Sequence, residues 1–176
     1  DAISLDAIRH IGASIERAVA HGDDMDARSG MAIGSLQAGI AFGVSGTHLA
    51  HALQYPIGAA THTPHGLGTG LMLPYVLELC AQTVPGRVAD IGRALGLPDG
   101  PDLVLATVDR VARICANIGL PASLAELGVE RDALPRIAEL ALASKRLINV
   151  APLEVDHALL LRVLEAAHAG DHTSLR

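Results

Sequence analysis

The sequence predicts an all-α fold, a bundle of about seven to eight antiparallel helices, from the spacing of its apolar residues. Apolar side chains recur at helical intervals along nearly the whole chain, and no segment keeps the alternation of a β-strand. Aromatic residues make up only 2% of the 176 residues, so the core must consist of Ala, Leu, Ile and Val, which suits closely packed helices. A hydrophobic share of 50% is enough for a core at this length, so disorder is not expected.

The first two helices are predicted from an apolar stripe and an acidic cap. Ile8, Ile11, Ile15 and Val19 share one helical face, and the Gly-Asp pair at 22–23 ends that element. Asp23 or Asp24 can cap a second helix that extends to about Val44. Small residues along this helix would let another backbone approach closely: Ala32, Gly34, Ala38, Gly39 and Ala41.

Prolines mark the ends of the next two helices. A third helix is predicted from about Thr47 to Tyr55, because the residue ahead of Pro56 disfavours the helical conformation. Pro64 or His65 should open a fourth helix through about Cys80, with a kink expected at Pro74.

The remaining elements follow from caps, prolines and one apolar stripe. A helix is predicted from Pro85 to about Leu95, and Pro101 opens the next one, with an apolar stripe of Val104, Val108, Val111, Cys115 and Ile118. Ser123 and Glu126 predict a capped turn. Two further helices are predicted, from Asp132 to about Ser144 with Pro135 in its first turn, and from about Val155 to His168.

Charge and cysteine usage exclude several classes of partner. A net charge of −6 argues against nucleic acid, which requires clustered Lys and Arg. No apolar run is long enough for a membrane span, so no membrane partner is expected. Cys80 and Cys115 are isolated, which suits a reducing, cytoplasmic compartment better than a thiolate metal site. The first residues carry acids where a signal peptide would be basic, and without an initiator Met the chain reads as part of a longer protein.

Four of the 9 histidines lie between residues 47 and 70, namely His48, His51, His62 and His65. His48 and His51 share a helical face, as do His51 and Tyr55. The four imidazoles could close a zinc site, although structural zinc sites usually rely on thiolates. Equally, two or more of them could be core or surface groups without a ligand. The spacing alone leaves both readings open.

Residues 41–74, AFGVSGTHLAHALQYPIGAATHTPHGLGTGLMLP, resemble the second signature of the iron-containing alcohol dehydrogenases. That signature has a helical histidine, a P-[IL]-G turn, P-H-G at the start of the next helix and a final L-P. The matching features here are His51, Pro56-Ile57-Gly58, Pro64-His65-Gly66 and Leu73-Pro74. The two histidines are 14 positions apart, as in the family. More loosely, residues 1–168 resemble its C-terminal helical domain, which is dehydroquinate synthase-like, and 169–176 form a tail.

The resemblance implies specific roles. His51 and His65 would supply two ligands of a divalent metal, Fe²⁺ or Zn²⁺. Tyr55 stands where many members have a second histidine near the substrate, and a phenol is a poorer proton relay at neutral pH than an imidazole. Phe42 and Thr47 would face the substrate cleft, while His48 and His62 match no ligand position of the family.

The resemblance also implies parts that residues 1–176 do not include. Family members add an aspartate and a third histidine, in an Asp-x3-His arrangement, and an N-terminal α/β domain that binds NAD or NADP. The segment GLGTG at 66–70 does not replace that domain, because it follows no strand and lacks the GxGxxG spacing. Relatives associate mostly through the absent part, so a homo-oligomer of these residues alone would need another surface.

The function implied is oxidation of alcohols or reduction of aldehydes and ketones, by the longer protein. We expect residues 1–176 alone to bind metal weakly and to lack dehydrogenase turnover. Two alternatives remain open at this point: a zinc-dependent polyol dehydrogenase or oxo-acid reductase of the same fold, and a stand-alone helical module that binds a partner through a groove.

Overall fold

A computed structural model describes all residues from 1 to 176 and contains helices without β-strands, which confirms the all-α prediction. The nine α-helices are α1 (Ala2–Ala20), α2 (Met25–Ser45), α3 (Leu49–Thr61), α4 (His65–Thr83), α5 (Pro85–Ala94), α6 (Leu103–Asn117), α7 (Leu134–Ala143), α8 (Lys145–Ile148) and α9 (His157–Ala169). Two 3-10 turns lie at Arg131–Ala133 and His172–Leu175. None of the helices combines the length and apolar composition needed to cross a membrane.

The helices belong to two compact units. The first unit contains residues 1–46 and 85–118, and therefore α1, α2, α5 and α6. The second contains residues 47–84 and 119–176, with the remaining helices and both 3-10 turns.

In the first unit, α1 and α2 pack through the small residues of α2. A Cβ atom on Gly34 would lie 2.7 Å from Ile11 Cγ1 and 3.2 Å from the carbonyl oxygen of Ala7. The predicted close approach at Gly34 is therefore confirmed, whereas Gly39 faces open space. Asp24 caps α2, because its carboxylate accepts a hydrogen bond of 2.9 Å from the Ala27 amide.

The other half of the first unit is built from α5 and α6. The fully buried residues of α6 are Leu103, Thr107, Val108, Val111 and Ile114. Val108 and Val111 belong to the predicted stripe, but Val104, Cys115 and Ile118 are only half-buried. The buried face of α6 is therefore rotated relative to the predicted stripe, because it includes the polar residue Thr107. The Thr107 hydroxyl donates a hydrogen bond of 2.7 Å to the Leu103 carbonyl, and the side chain packs against α5 at Gly92.

The core of the second unit comes from helices that are distant in sequence. The large side chains that are almost completely buried there are Leu49, Leu53, Ile57, Met72, Leu124, Leu134, Leu160 and Leu164. α3 packs on α4, α7 and α8, and α9 packs on α4 and α7. The two helices with the clustered histidines are thus held from several sides.

The predicted end of α3 at Tyr55 is wrong, because the helix continues through Pro56 to Thr61. Pro56 has no amide to donate to the carbonyl one turn earlier, which normally disfavours a helix interior. Here Pro56 and Ile57 are both buried, so packing outweighs the lost hydrogen bond. The helix ends instead at His62, which adopts a left-handed conformation with φ of 56°.

Other predictions hold with changes at the ends of elements. Asp132 does not cap α7 with its side chain, because it lies inside the preceding 3-10 turn. The capped turn at Ser123 is present: its hydroxyl accepts from the Glu126 amide at 3.2 Å, and the Glu126 carboxylate accepts from the Ala122 amide. Asp156 caps α9, which begins two residues later than predicted.

Candidate metal centre

The structure brings His51 and His65 together, with ring centroids 5.1 Å apart and planes inclined by 57°. His51 lies near the start of α3 and is half-buried, whereas His65 is the first residue of α4 and is exposed. The two imidazoles therefore come from two helices of the same unit, and one of them stays open to solvent.

The turn between the helices positions His65. The left-handed residue His62 ends α3, and Pro64, in an extended conformation, leads into α4. The hydroxyl of Thr61 bonds to the Ile57 carbonyl at 2.9 Å and lies 2.5 Å from the Thr63 hydroxyl. These hydrogen bonds connect the end of α3 to the turn that precedes His65.

Tyr55 completes an aromatic group with the two histidines. Its ring stacks on His65 with centroids 6.0 Å apart and an inclination of 26°. Tyr55 follows His51 by one helical turn and has 48% of its surface exposed. About half of the Tyr55 surface is therefore open to solvent beside the imidazole pair.

Burial disfavours the charged form of His51, on α3, and of His48, the residue before this helix. Burial lowers the pKa of His51, and positive charge on His65 or His48 would lower it further. Burial also lowers the pKa of His48. Neutral imidazole is the form that binds metal ions, so the lowered pKa of His51 favours its proposed role as a ligand.

These side chains fit part of a divalent metal site. Imidazole nitrogens suit Fe²⁺ and Zn²⁺, and His51 and His65 provide two of them from neighbouring elements. His48 has a buried Nδ1 atom without a hydrogen-bond partner, a polar group that needs an explanation in a folded protein. The four-histidine zinc site is not formed, because no three of the four histidines bring their ring nitrogens within 4.8 Å of one another.

The other residues considered for the site lie on α2, just before α3 and at the end of α3. Phe42 belongs to the first unit, on α2, and 52% of its surface is exposed. Thr47 belongs to the second unit, two residues before α3, and is half-buried. The imidazole of His62 is exposed at the left-handed end of α3.

Sequence reasoning missed a buried carboxylate on α4. Glu78 is only 1% exposed and accepts hydrogen bonds from His172 Nδ1 at 2.8 Å and Arg176 Nε at 3.1 Å. Gln82, one turn later, donates to the Leu175 carbonyl at 2.6 Å. The signal in the sequence is a single acid within the apolar run LMLPYVLELC, which indicates a buried and paired charge.

Comparisons with known proteins find related sequences over most of the chain. The sequence model described as the Fe-containing alcohol dehydrogenase family, C-terminal, matches residues 1–168. The long-chain-alcohol dehydrogenase 1 of Geobacillus thermodenitrificans is 37% identical over 174 residues, which are 97% of this chain and 44% of that protein. A 1,3-propanediol dehydrogenase of Citrobacter freundii is 36% identical over 146 residues, 81% of this chain and 38% of that protein.

Solved structures give the same result for the fold. The crystal structure of a 1,3-propanediol oxidoreductase superposes with a TM-score of 0.91 and 29% identity, over 95% of this chain and 44% of that one. The chain therefore spans less than half the length of the relatives that it matches.

Proposed function

The chain belongs to the Fe-containing alcohol dehydrogenase family, and from that premise we propose that residues 1–168 form the metal-binding helical domain of an NAD(P)-linked alcohol dehydrogenase, with 169–176 as its tail. The observation that carries the proposal is the 5.1 Å approach of the His51 and His65 rings. It agrees with the family signature, in which these two positions are ligands.

His51 and His65 would hold a divalent ion, Fe²⁺ or Zn²⁺. When bound, such an ion supplies the positive charge that favours loss of a hydroxyl proton from an alcohol before hydride transfer. Burial lowers the pKa of His51, which favours the neutral imidazole that can act as a ligand. His65 contributes an exposed imidazole at the start of α4, held in place by the Pro64 turn.

Tyr55 is the residue that we assign to contact with the substrate. Its exposed ring stacks on His65, and its hydroxyl can donate a hydrogen bond to the oxygen of an alcohol or aldehyde. Phe42 and Thr47 would line the substrate cleft, Phe42 with an apolar surface and Thr47 with a hydroxyl.

The remaining parts of the activity belong to the portion of the protein that the relatives have and residues 1–176 do not include. That portion would bind NAD or NADP and add an aspartate and a further histidine to the metal. The substrates proposed are small alcohols and the corresponding aldehydes or ketones, in a reducing, cytoplasmic setting.

Replacing His65 by Ala in the full-length protein tests the metal assignment. The variant should lose bound metal and dehydrogenase activity together, measured by elemental analysis and by nicotinamide absorbance. His62→Asn is the matched control, because it removes a neighbouring imidazole while asparagine tolerates the left-handed backbone. Full metal occupancy in His65→Ala would refute the assignment.

A further inference from the structure

Next to the imidazole pair, a buried glutamine fills the space left by two glycines. Gln54 is only 3% exposed and lies one helical turn after His51 on α3. Gly68 lies one helical turn after His65 on α4. A Cβ atom on Gly68 would be 1.8 Å from the Gln54 Oε1 atom and 2.6 Å from its Cδ atom. A side chain at position 68 would therefore displace the end of the Gln54 side chain.

The amide of Gln54 is confined from a second direction. A Cβ atom on Gly58 would lie 2.6 Å from Gln54 Nε2, so the amide lies between two positions that lack side chains. Its Oε1 atom is buried and has no hydrogen-bond partner. Shape, rather than a polar contact of this oxygen, therefore determines where the end of the side chain lies.

This arrangement links the two histidines sterically. The contact between Gln54 and Gly68 lies between α3 and α4, one turn away from His51 on one helix and from His65 on the other. A metal ion requires its ligand atoms within a few tenths of an ångström of their ideal positions. A change of volume at this contact would thus alter the separation of the imidazoles without touching either ring.

We infer that Gln54 is a positioning residue for the metal site, acting as a spacer that is matched in volume to Gly68. The inference rests on the proposed function, because it takes His51 and His65 as metal ligands. Gln54 touches neither the metal nor the substrate in this role. It acts only through the distance between the helices that carry the two imidazoles.

A double-mutant cycle in the full-length protein tests the inference, with Zn²⁺ affinity measured by chelator competition and thermal stability recorded in parallel. Gln54→Ala leaves a void and Gly68→Ala forces an overlap, so each should weaken Zn²⁺ binding about 10-fold or more. Gln54→Met, of similar length, should keep the affinity. The double variant Gln54→Ala with Gly68→Ala should bind Zn²⁺ better than either single variant, because the new methyl group enters the vacated space.

Two controls separate the possible failures. Gly43→Ala places a methyl group on α2 where nothing lies within 4 Å, and it should leave Zn²⁺ binding unchanged. If His65→Ala loses Zn²⁺ but the Gln54 and Gly68 variants bind as the parent does, the spacer role is wrong and the proposed function stands. Lower thermal stability with unchanged affinity also overturns the spacer role, as does loss of affinity in Gln54→Met equal to that in Gln54→Ala. If His65→Ala retains Zn²⁺, the proposed function falls and the spacer role with it.

Discussion

Single residues set the charge state of the candidate metal centre. His48 and His51 lie on the more buried side of the histidine cluster, and burial lowers the pKa of both imidazoles. Neutral imidazoles serve metal binding, but they make folding sensitive to acid. The unfolded chain can protonate these groups at an ordinary pKa near 6.5, about half a unit below neutrality.

The first prediction concerns this pH dependence. A lowered pKa in the folded state means that the unfolded chain binds more protons as the pH falls through about 6.5, so the free energy of unfolding should decrease from pH 7 to pH 5. His48→Gln should reduce this decrease in metal-free protein, measured by urea denaturation across that range. His21→Gln, at the exposed end of α1, is the control. Equal slopes for His48→Gln and the parent would contradict the burial effect.

The family signature distinguishes among the four clustered histidines, which their spacing along the chain does not. Helical spacing places His48, His51, His62 and His65 in one region, but it does not choose among them. The family signature singles out His51 and His65, and the structure brings those two rings together. Their role as ligands stays a prediction, as do the roles of Tyr55, Phe42 and Thr47.

At the scale of elements, helix pairs depend on specific glycines. Gly34 on α2 faces the Ile11 side chain and the Ala7 backbone of α1, and the backbone oxygen cannot move aside easily. Gly39 lies on the same helix but faces open space. The two positions therefore separate packing from the intrinsic helix preference of alanine.

Gly34→Ala should lower the free energy of unfolding by about 1–3 kcal/mol, because the added methyl group overlaps α1. Gly39→Ala should raise it by up to about 1 kcal/mol, through helix preference alone. Urea denaturation followed by circular dichroism measures both. Equal effects at the two positions would show that α1 and α2 do not pack as described.

The C-terminal 3-10 turn at His172–Leu175 packs on α4. Leu175 is 3% exposed, and Glu78 pairs with His172 and Arg176. Replacing both His172 and Arg176 by Ala would leave the Glu78 carboxylate buried without these partners. We expect a loss of roughly 2–4 kcal/mol, reduced from that of a fully buried pair because Arg176 is 35% exposed.

Protein that lacks the Glu78 charge provides the control for this prediction. In Glu78→Gln protein, the same double substitution should cost markedly less, because no carboxylate is left without a partner. Thermal unfolding of the parent and the three variants gives the coupling between Glu78 and the C-terminal turn. Purely additive effects would mean that packing of Leu175, and not the ion pairs, attaches the turn.

At the scale of the whole molecule, the chain represents less than half of its relatives. Two imidazoles supply few bonds to offset the dehydration of a divalent ion, and the nicotinamide site is expected elsewhere in the longer protein. Under the proposed function, residues 1–176 would hold part of the metal site, and turnover would require the remainder of the protein.

The isolated chain should accordingly bind Zn²⁺ weakly and show no dehydrogenase turnover. Calorimetric titration of residues 1–176 with Zn²⁺ measures the first expectation, and nicotinamide absorbance with an alcohol measures the second. Submicromolar affinity would contradict us, because it would require a further strong ligand within this chain, with His48 the first to test by replacement with Gln.

Local patterns along the chain predict the helical fold and an acidic cap at Asp23 or Asp24, and the family signature singles out His51 and His65, because these features depend on residues close together in the sequence. Three features are visible only in the folded chain: α3 continues through Pro56, Thr107 lies in the buried face of α6, and Gln54 lies against Gly68. Each of these depends on contacts between separate helices, where buried packing outweighs local preference. Such contacts have no signature in the spacing of a single segment.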